Sequence, residues 1–587
     1  MGKWLVLRGG YFREDDFEYV ARAWAAGFDF GYLGRVHWGQ FMPGGFAVVW
    51  VVARVAPYDW GVVAGVTLAG YAAAGLAVLR MLRVVAGARW GTLAPLAVFL
   101  FTPMTLAAMS WWAAALNTVP LQIALPMAVA SHVLYLRTGR TAHVWAAAGW
   151  VAFGMLFFVK AALIPVVLFV VTAGYFTKRR GWGVLWATLR ECRAAWTVQG
   201  ALVVGYAALY LFQLRTSASG PSVPPAQDIL TFARLLITET FTTTALGGPG
   251  DWFATAARDI ALAAPSPLLV LAAGLMFLLL VAASLLLRRR AWWSWALLGG
   301  YLLLADVLPV ALGRLTERYV ELAGAETRYV ADAAPVLALC LALAFLPVLG
   351  ERDAYRRAFT RPDGGRLRPA WSRAARGLTA IGMAGFAAGA AWSSAELART
   401  VDTTPGRVFL ASAERSLRTA SPDADVFDSE MPTYLMQPLF GEYARASRAL
   451  APFARPVHRA TMRDQPPSAA PLVLDDRGRL RPLKVWGKTY RPPDGCWPTR
   501  DDGATIPVED PTGRDDRYVA RLEYISGVAQ PVTVWLGQGH VDVTLEPGLH
   551  AVTFAIKGHG GTIRVTGDRS GPTFQVCALA LGFAVAG

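Results

Sequence analysis

Two adjacent carboxylates near the start of the chain, Asp15 and Asp16, are the residues whose type and setting point most directly to chemistry. A long series of apolar segments follows them, and His37 lies between the aspartate pair and the first of these segments. A carboxylate at the boundary of hydrocarbon is costly to keep there, which makes it a candidate functional group. Such a group can accept a proton from a reacting hydroxyl or hold a cation.

A structural interpretation of the same pair is also open. Adjacent carboxylates repel each other, so one of them is expected to have a raised pKa or to bind a cation. Alternatively, Asp15 and Asp16 form the solvated start of a helix, where acidic residues are favoured by the helix dipole.

The composition indicates which elements must position these residues. The chain has 587 residues, of which 55% are hydrophobic and 17% charged, and its net charge is +15. The basic residues cluster in short loops between apolar runs, as the positive-inside rule expects of a membrane protein. We therefore expect a multi-pass protein of the plasma membrane whose partner is the lipid bilayer, and no nucleic acid as a partner.

Apolar runs of spanning length indicate about ten membrane spans, or eleven if a first helix is missing upstream of Met1. In this arrangement the short basic loops lie on one side of the membrane, and the acid pair lies on the other. The predicted spans are Tyr58–Leu79, Trp90–Met109, Ala113–Tyr135, Ala142–Val159, Ala161–Phe176, Val198–Phe212, Pro267–Leu287, Trp292–Leu312, Ala333–Leu349 and Leu378–Trp392.

The composition changes after residue 393, where turn residues become frequent and no further span is predicted. We divide the chain into a membrane domain, 1–393, a mixed α/β region, 394–510, and a β-sandwich or jelly roll, 511–587. The β-sandwich is predicted from apolar residues that alternate with polar ones, such as Val532, Val534 and Leu536. The last two regions are placed outside the cytoplasm, where Cys496 and Cys577 are expected to form a disulfide or, alternatively, two buried thiols.

Several short motifs resemble those of a known superfamily. They are the aspartate pair, the stretch His37–Gly44 (HWGQFMPG), the pair Trp111-Trp112, the stretch Gly247–Trp252 (GGPGDW) and the stretch Glu326–Tyr329 (ETRY). With the ladder of spans and the β-rich end, the chain resembles the GT-C glycosyltransferases, and more narrowly the arabinofuranosyltransferase-like enzymes of the actinobacterial cell wall. The resemblance implies a carbohydrate-binding-like C-terminal domain.

The resemblance also implies a polyprenyl-phosphate-linked sugar as donor and a cell-envelope glycan or lipid as acceptor, on the outer face. Asp15 would then be the general base, with Asp16 as the second choice. The leaving phosphate would be bound by cationic and polar groups, for which Lys160, Arg328, Tyr329 and His37 are the candidates. No cofactor is certain, but a divalent cation such as Mg²⁺, Mn²⁺ or Ca²⁺ is a candidate.

Each phosphate candidate has a structural alternative. Lys160 can mark a helix end by snorkelling, and Arg328 can form an ion pair with Glu326 or Asp332.

Residues of the long outer loop that can face the acceptor are Glu239, Asp251 and Trp252.

Two other functions remain open at this point. A lipid-linked-sugar flippase or transporter would also have many spans, but it should carry charge pairs inside them. A non-catalytic glycan-binding protein would use the membrane part only as an anchor. No Walker, Rossmann or nucleophile-elbow motif is present, which disfavours a nucleotide-sugar donor.

Overall fold

A computed structural model describes residues 2–177, 181, 183–214, 224–254, 260–313, 315–316, 319–351, 354–359, 369–497, 503–509, 516–568 and 573–587. The chain forms two compact units. The first comprises Met1–Asp16 and Ala26–Thr403, and the second comprises Phe17–Ala25 and Thr404–Gly587. The change of unit near residue 403 lies close to the boundary predicted at 393.

The first unit is helical. Its α-helices span Gly2–Gly9, the start of Asp15–Ala25, Phe30–Leu33, Pro43–Val55, Trp60–Ala86, Leu93–Phe101, Leu106–Met109, Trp112–Thr138, Ala142–Met155, Ile164–Val171, Gly183–Glu191, Arg193–Leu214, Ala226–Arg234, Thr242–Ala245, Pro267–Leu287, Ala291–Tyr301, Leu308–Gly313, Val320–Gly324, Ala334–Phe345 and Pro369–Thr400. Short 3₁₀ turns at Val159–Leu163 and Thr327–Tyr329, and π-helical turns at Leu235–Phe241 and Leu302–Val307, interrupt or connect them.

Within the described residues, seven helical segments are long and apolar enough to cross a membrane. They are Trp60–Ala86, Trp90–Met109, Trp112–Thr138, Val159–Phe176, Arg193–Gln213, Pro267–Leu287 and Ala291–Gly313. Each coincides with a predicted span, so the expectation of a multi-pass helical protein is confirmed. The other three predicted spans fall on Ala142–Met155, Ala334–Phe345 and Pro369–Thr400, which are helices that do not meet the same criteria of length and hydropathy.

The core of this unit lies where the helices Trp60–Ala86, Trp112–Thr138 and Ala334–Phe345 pack together. Small and branched side chains there, such as Ala124, Ala128 and Leu339, are completely buried. Small residues let helix backbones approach closely, which is how helices associate inside a bilayer.

The second unit contains an antiparallel β-sandwich, as predicted. The short strands of the first unit are β1 (Val36–His37), β2 (Gln40–Phe41), β3 (Trp252–Ala254) and β4 (Ala261–Ala263). The sandwich strands are β5 Leu472–Leu474, β6 Leu480–Tyr490, β7 Ala504–Pro507, β8 Asp516–Ser526, β9 Gln530–Leu536, β10 Gly539–Leu545, β11 Gly548–Gly558, β12 Thr562–Thr566 and β13 Phe574–Ala586. The four-stranded sheet has the order β10-β9-β12-β7, and the five-stranded sheet has the order β11-β8-β13-β6-β5.

The sandwich begins earlier than the predicted residue 511, because β5, β6 and β7 come from the region assigned to a mixed α/β fold. Strands β5 and β6 lack the clean alternation that identified β9, in which Val532, Val534 and Leu536 are buried, and β7 alternates over only four residues. Helices of the second unit span Thr404–Thr419, Ala446–Ala449 and Pro456–Asp464. Cys496 and Cys577 form a disulfide, and the free cysteines Cys192 and Cys340 are buried.

Candidate active site

A two-residue hairpin presents His37 in the first unit. Strand β1 pairs with β2 through His37 and Gln40, and the turn residues Trp38 and Gly39 have φ angles of 46° and 75°. Positive φ at both turn positions is the geometry of a type I′ turn, which favours glycine at the second position. The hydroxyl of Tyr210 donates a hydrogen bond to the carbonyl oxygen of Gly39 at 3.1 Å, which ties the turn to the helix Arg193–Leu214.

Asp15 and His37 form the central pair of the site. Nε2 of His37 lies 3.0 Å from Oδ1 of Asp15, and the two side chains are 9% and 18% exposed respectively. The His37 ring is therefore buried, and the Asp15 carboxylate stays partly accessible. A carboxylate in this setting can accept a proton, and the imidazole can orient it or share its charge.

Asp16 has a different environment, although it is the next residue. Its side chain is completely buried and accepts hydrogen bonds from the backbone N–H groups of Ala113 at 2.8 Å and Arg13 at 3.1 Å. Burial raises the pKa of Asp16 to about 8, against the opposing effect of these two hydrogen bonds and of the Arg13 charge. We infer that Asp16 anchors the segment to the start of the helix Trp112–Thr138, while Asp15 is the exposed member of the pair.

Arg328 lies in a cluster of aromatic and acidic groups. Its Nε is 2.6 Å from Oε1 of Glu326, and its guanidinium lies 4.2 Å from the centre of the Trp111 ring. Nη2 is 3.3 Å from the hydroxyl of Tyr329. Arg13 lies 4.6 Å from the centre of the same indole. Trp111 thus orders two guanidinium groups, and it is buried rather than part of an interfacial aromatic belt.

The electrostatics connect Arg328 with Asp15. Burial disfavours the charge of Arg328, but Glu326, Tyr329, Tyr319 and the Asp15 carboxylate together raise its pKa well above the ordinary value. The site therefore combines a partly exposed carboxylate with a permanently charged group that is 19% exposed. Such a pairing can accept a proton at one point and stabilise negative charge at another.

Lys160 is involved in a separate, buried cluster. Its Nζ donates hydrogen bonds to Asp306 and Asp332, each at 2.7 Å, and to the backbone carbonyl oxygen of Tyr329 at 3.1 Å. An ammonium group has three protons, so these three acceptors account for all of them. The contacts favour a structural role over the predicted phosphate contact, which stays a prediction.

The predicted acceptor residues are not brought together with the Asp15 pair. Glu239 forms an exposed ion pair with Arg234 at 3.2 Å, and Asp251 is exposed. Trp252 is buried, and its indole N–H donates to the carbonyl oxygen of Ser393 at 2.8 Å. Trp252 thus holds the strand pair β3–β4 against the helix Pro369–Thr400. The role of all three residues in binding an acceptor stays a prediction.

The Asp15–His37 pair offers one oxygen and one nitrogen ligand to a divalent cation. Mg²⁺ and Ca²⁺ prefer oxygen ligands, whereas Mn²⁺ accepts carboxylate and imidazole together. The donor set therefore fits Mn²⁺ better than the other two candidates, and metal dependence stays a prediction.

Sequence reasoning missed two features of this region. It found no acid near Lys160 because Asp306 and Asp332 are more than a hundred residues away along the chain. It did not assign Tyr319, whose hydroxyl donates to Glu326 at 2.9 Å. A signal was available for the first: one lysine and two aspartates, each within or beside a different apolar run, are expected to pair because unpaired charges there are costly.

Solved structures that are distantly similar to this chain include two membrane proteins with the following similarities. No protein-family model and no curated protein matches the chain. ArnT from Cupriavidus metallidurans in the apo state is similar over 75% of this chain and 82% of its own, at 14% identity and a TM-score of 0.39. The arabinosyltransferase EmbB from Mycobacterium smegmatis is similar over 100% of this chain and 64% of its own, at 12% identity and a TM-score of 0.35. At this distance, neither match assigns an activity, a substrate or a site residue to this chain.

Proposed function

We propose that this protein is a GT-C-type membrane glycosyltransferase that moves a sugar from a polyprenyl-phosphate donor to an envelope glycan or lipid. The observation that supports it most directly is the Asp15–His37 pair at 3.0 Å, with the Arg328 charge close enough to interact with Asp15. An accessible carboxylate beside a fixed guanidinium is what proton removal and phosphate departure require within one site.

The proposed reaction is a single displacement at the anomeric carbon. An acceptor hydroxyl forms the new C–O bond while the bond from the anomeric carbon to the phosphate oxygen breaks. The phosphate leaves with the bonding electron pair, and Asp15 takes the hydroxyl proton. Because phosphate is a good leaving group, it needs charge stabilisation rather than a protein acid, and inversion at the anomeric carbon is expected.

In this proposal Arg328 binds the departing phosphate. Its guanidinium can hold two phosphate oxygens at once, and the Trp111 ring beneath it fixes its orientation. Glu326 pairs with Nε of Arg328, and the hydroxyls of Tyr329 and Tyr319 lie 3.3 and 3.4 Å from its Nη2, so these groups hold the guanidinium in place.

The proposed site works on the outer face of the plasma membrane, with the second unit outside the cytoplasm. The short basic loops are assigned to the inner side by the positive-inside rule, and the site residues belong to the opposite loops. The β-sandwich is proposed to bind the acceptor glycan. Trp535 and His540, whose rings lie 4.8 Å apart on the four-stranded sheet, are the residues to examine for that contact.

The proposal is tested by transfer from a panel of synthetic polyprenyl-phosphate sugars to envelope glycan fragments, with the purified full-length protein. We expect at least one donor to be consumed with formation of a new glycosidic bond and release of polyprenyl phosphate. If no donor in the panel is consumed while a nucleotide sugar is, the proposed donor class is wrong.

A lipid-linked-sugar transporter is a second candidate, because Lys160, Asp306 and Asp332 form a charge cluster within the helical unit. Transporters carry such charges at their substrate or coupling sites. The two functions are separated with protein in liposomes. A transporter moves a fluorescent lipid-linked sugar across the bilayer without breaking the glycosidic bond, whereas the transferase breaks the bond and leaves the rate of lipid movement unchanged.

A further inference from the structure

The second unit contains a cleft of about 900 Å³ that the proposed transfer does not use. The loop 428–433, the turn between β5 and β6 and the ends of β8 and β13 line it. All of these residues belong to the second unit. The volume lies within the range of about 300–1,000 Å³ that is usual for sites binding small molecules.

Arginine dominates the polar lining of the cleft. Five arginines and four carboxylates line it, the arginines being Arg445, Arg477, Arg479, Arg481 and Arg517. Each guanidinium has five N–H donors and no acceptor. A carboxylate that is already bonded elsewhere in the fold has fewer positions left to accept hydrogen bonds from these arginines. The lining then has more N–H donors than free carboxylate acceptors.

Two of the four carboxylates are indeed occupied by the fold. Oδ1 of Asp475 accepts the backbone N–H groups of Arg477 and Arg479, at 2.9 and 2.8 Å, and its Oδ2 lies 3.1 Å from Nε of Arg479. Asp428 accepts the backbone N–H and the hydroxyl of Ser447, each at 2.8 Å. These acids shape the turn and the loop. Asp475 also lies 3.6 Å from Nε of Arg481, and Asp428 lies 3.8 Å from Nη1 of Arg445, so the donors left for a ligand are the remaining N–H groups of these arginines.

Arg477 is the arginine with the most freedom to bind. Its side chain is exposed, and no ion pair of its guanidinium is found among the residues that the structure describes. The left-handed φ of 74° at Gly478 closes the turn that presents it. A charged side chain that lines the cleft from a tight turn, with no ion pair in the described part of the chain, suits the recognition of an anion.

An exposed aromatic surface lies in the same cleft. Trp486 is 70% exposed and Phe583 is 38% exposed, on the paired strands β6 and β13 at register positions directly opposite each other. Two exposed aromatic side chains side by side form an apolar patch, and apolar patches rimmed by polar residues mark ligand-binding grooves. The flat apolar face of the Trp486 indole, with its polar edge, matches the C–H face and hydroxyl rim of a sugar ring.

We propose that this cleft binds an acidic saccharide, with a sugar ring on Trp486 and its carboxylate or phosphate group on the arginines. The proposal goes beyond the proposed transfer, since it concerns binding at a site in the second unit and requires no turnover. It also differs from the expected glycan contact at Trp535 and His540, which lie on the other sheet.

The test is isothermal titration calorimetry of the full-length protein in detergent with four probes: trigalacturonic acid, mannose 6-phosphate, neutral galactotriose and inorganic phosphate. We expect an acidic probe to bind about tenfold or more tightly than the neutral one, as one charge-assisted hydrogen bond provides. Its affinity should fall as the NaCl concentration rises. The two acidic probes distinguish a carboxylate from a phosphate ligand.

Arg477→Ala and Trp486→Ala should each weaken the acidic probe by about tenfold. The matched controls are Arg564→Ala, an exposed arginine on the four-stranded sheet, and Leu549→Ala, whose side chain is 70% exposed on β11 outside the cleft; both should leave binding unchanged. Because Arg477 and Trp486 are exposed, their variants should melt at the wild-type temperature.

Three results would overturn the proposal. The first is equal affinity for acidic and neutral probes, or no binding of any acidic probe. The second is binding that survives both Arg477→Ala and Trp486→Ala. The third is an affinity for inorganic phosphate that equals the affinity for mannose 6-phosphate and is unchanged in Trp486→Ala. That result would show an anion site without saccharide recognition.

Discussion

Neighbouring aspartates in this chain have different physical roles. Asp16 is buried and bonded to two backbone N–H groups, whereas Asp15 stays partly exposed beside His37. The pair could be identified as candidate acids from the sequence. Nothing in the sequence, however, provided a physical reason for preferring Asp15 to Asp16 as the base. That preference now has a physical basis: a base must reach an acceptor hydroxyl, and only the Asp15 carboxylate is exposed.

Replacing Asp16 by asparagine should change stability in a pH-dependent way. Burial raises the folded-state pKa of Asp16 to about 8, above its usual value in an unfolded chain. Its contribution to stability is therefore fully present below about pH 4 and is lost as the pH rises toward 8. Relative to the wild type, Asp16→Asn should gain stability over this interval by up to about 1.4 kcal/mol per pH unit.

The measurement is the difference in melting temperature between the wild type and Asp16→Asn in detergent, taken from pH 5 to pH 9. The difference should move in favour of the variant up to about pH 8 and then level off. A difference that is the same at every pH would show that Asp16 ionises normally in the folded protein.

Short elements position the catalytic candidates. The hairpin β1–β2 holds His37 through a turn in which Trp38 and Gly39 both have positive φ. Residues with a branched β-carbon are strained in this conformation, whereas asparagine tolerates it. We predict that Gly39→Val lowers transfer activity markedly, because His37 loses its position, while Gly39→Asn retains most of it.

The comparison of Gly39→Val with Gly39→Asn is made on initial rates of transfer at equal amounts of folded protein. A steric clash of the new side chain would not explain a difference between the two rates, because there is space at Gly39. The nearest atom to an added β-carbon is the Tyr210 hydroxyl, at 4.0 Å. Equal rates for both variants would mean that the turn does not control the site.

The buried cluster of Lys160 links three segments of the helical unit. Removing the lysine leaves Asp306 and Asp332 buried beside each other with no cation, which should cost about 3–5 kcal/mol. We predict that Lys160→Met strongly lowers the melting temperature and that adding Asp306→Asn restores part of the loss. The exposed pair Arg399–Glu396 provides the control, because Arg399→Ala should change little.

Additive losses for Lys160→Met and Asp306→Asn would contradict this account of the cluster. Residues that share one charge network are coupled, so the double variant should be more stable than the sum of the single effects predicts. Since Nζ of Lys160 also bonds the carbonyl oxygen of Tyr329, the cluster supports the segment that carries Arg328.

Predictability from the sequence differed between elements. The apolar runs identified each of the seven helices that can span a membrane, because hydropathy over about twenty residues directly reflects the bilayer as solvent. The alternating strands β9 to β11 were predicted for a similar reason. In contrast, β5 to β7 were missed, and so were the acids that pair with Lys160, because both depend on partners distant in the chain.

At the scale of the whole molecule, the sidedness of the membrane domain decides whether the proposed function is possible. The disulfide between Cys496 and Cys577 offers a direct probe, because structural disulfides persist in oxidising compartments. We predict that a membrane-impermeant maleimide labels these two cysteines on intact spheroplasts after mild reduction. Cys192 and Cys340 are buried and should stay unlabelled.

The double variant Cys496→Ser with Cys577→Ser is the control for this labelling, and its signal should disappear. The same variant should lower the stability of the second unit by about 2–5 kcal/mol, as the loss of a native disulfide does in small secreted domains. Labelling that appears only after the cells are lysed would place the second unit in the cytoplasm and remove the basis for a lipid-linked donor on the outer face.

The central claim, that Asp15 is the base of a glycosyl transfer, is tested most directly by the transfer rate of Asp15→Asn. With the donor found active for the wild type, we expect the rate to fall by about 10²–10⁴-fold at an unchanged melting temperature. Asp423→Asn, which changes an exposed aspartate of the second unit, should keep the wild-type rate. Wild-type transfer by Asp15→Asn would contradict the account.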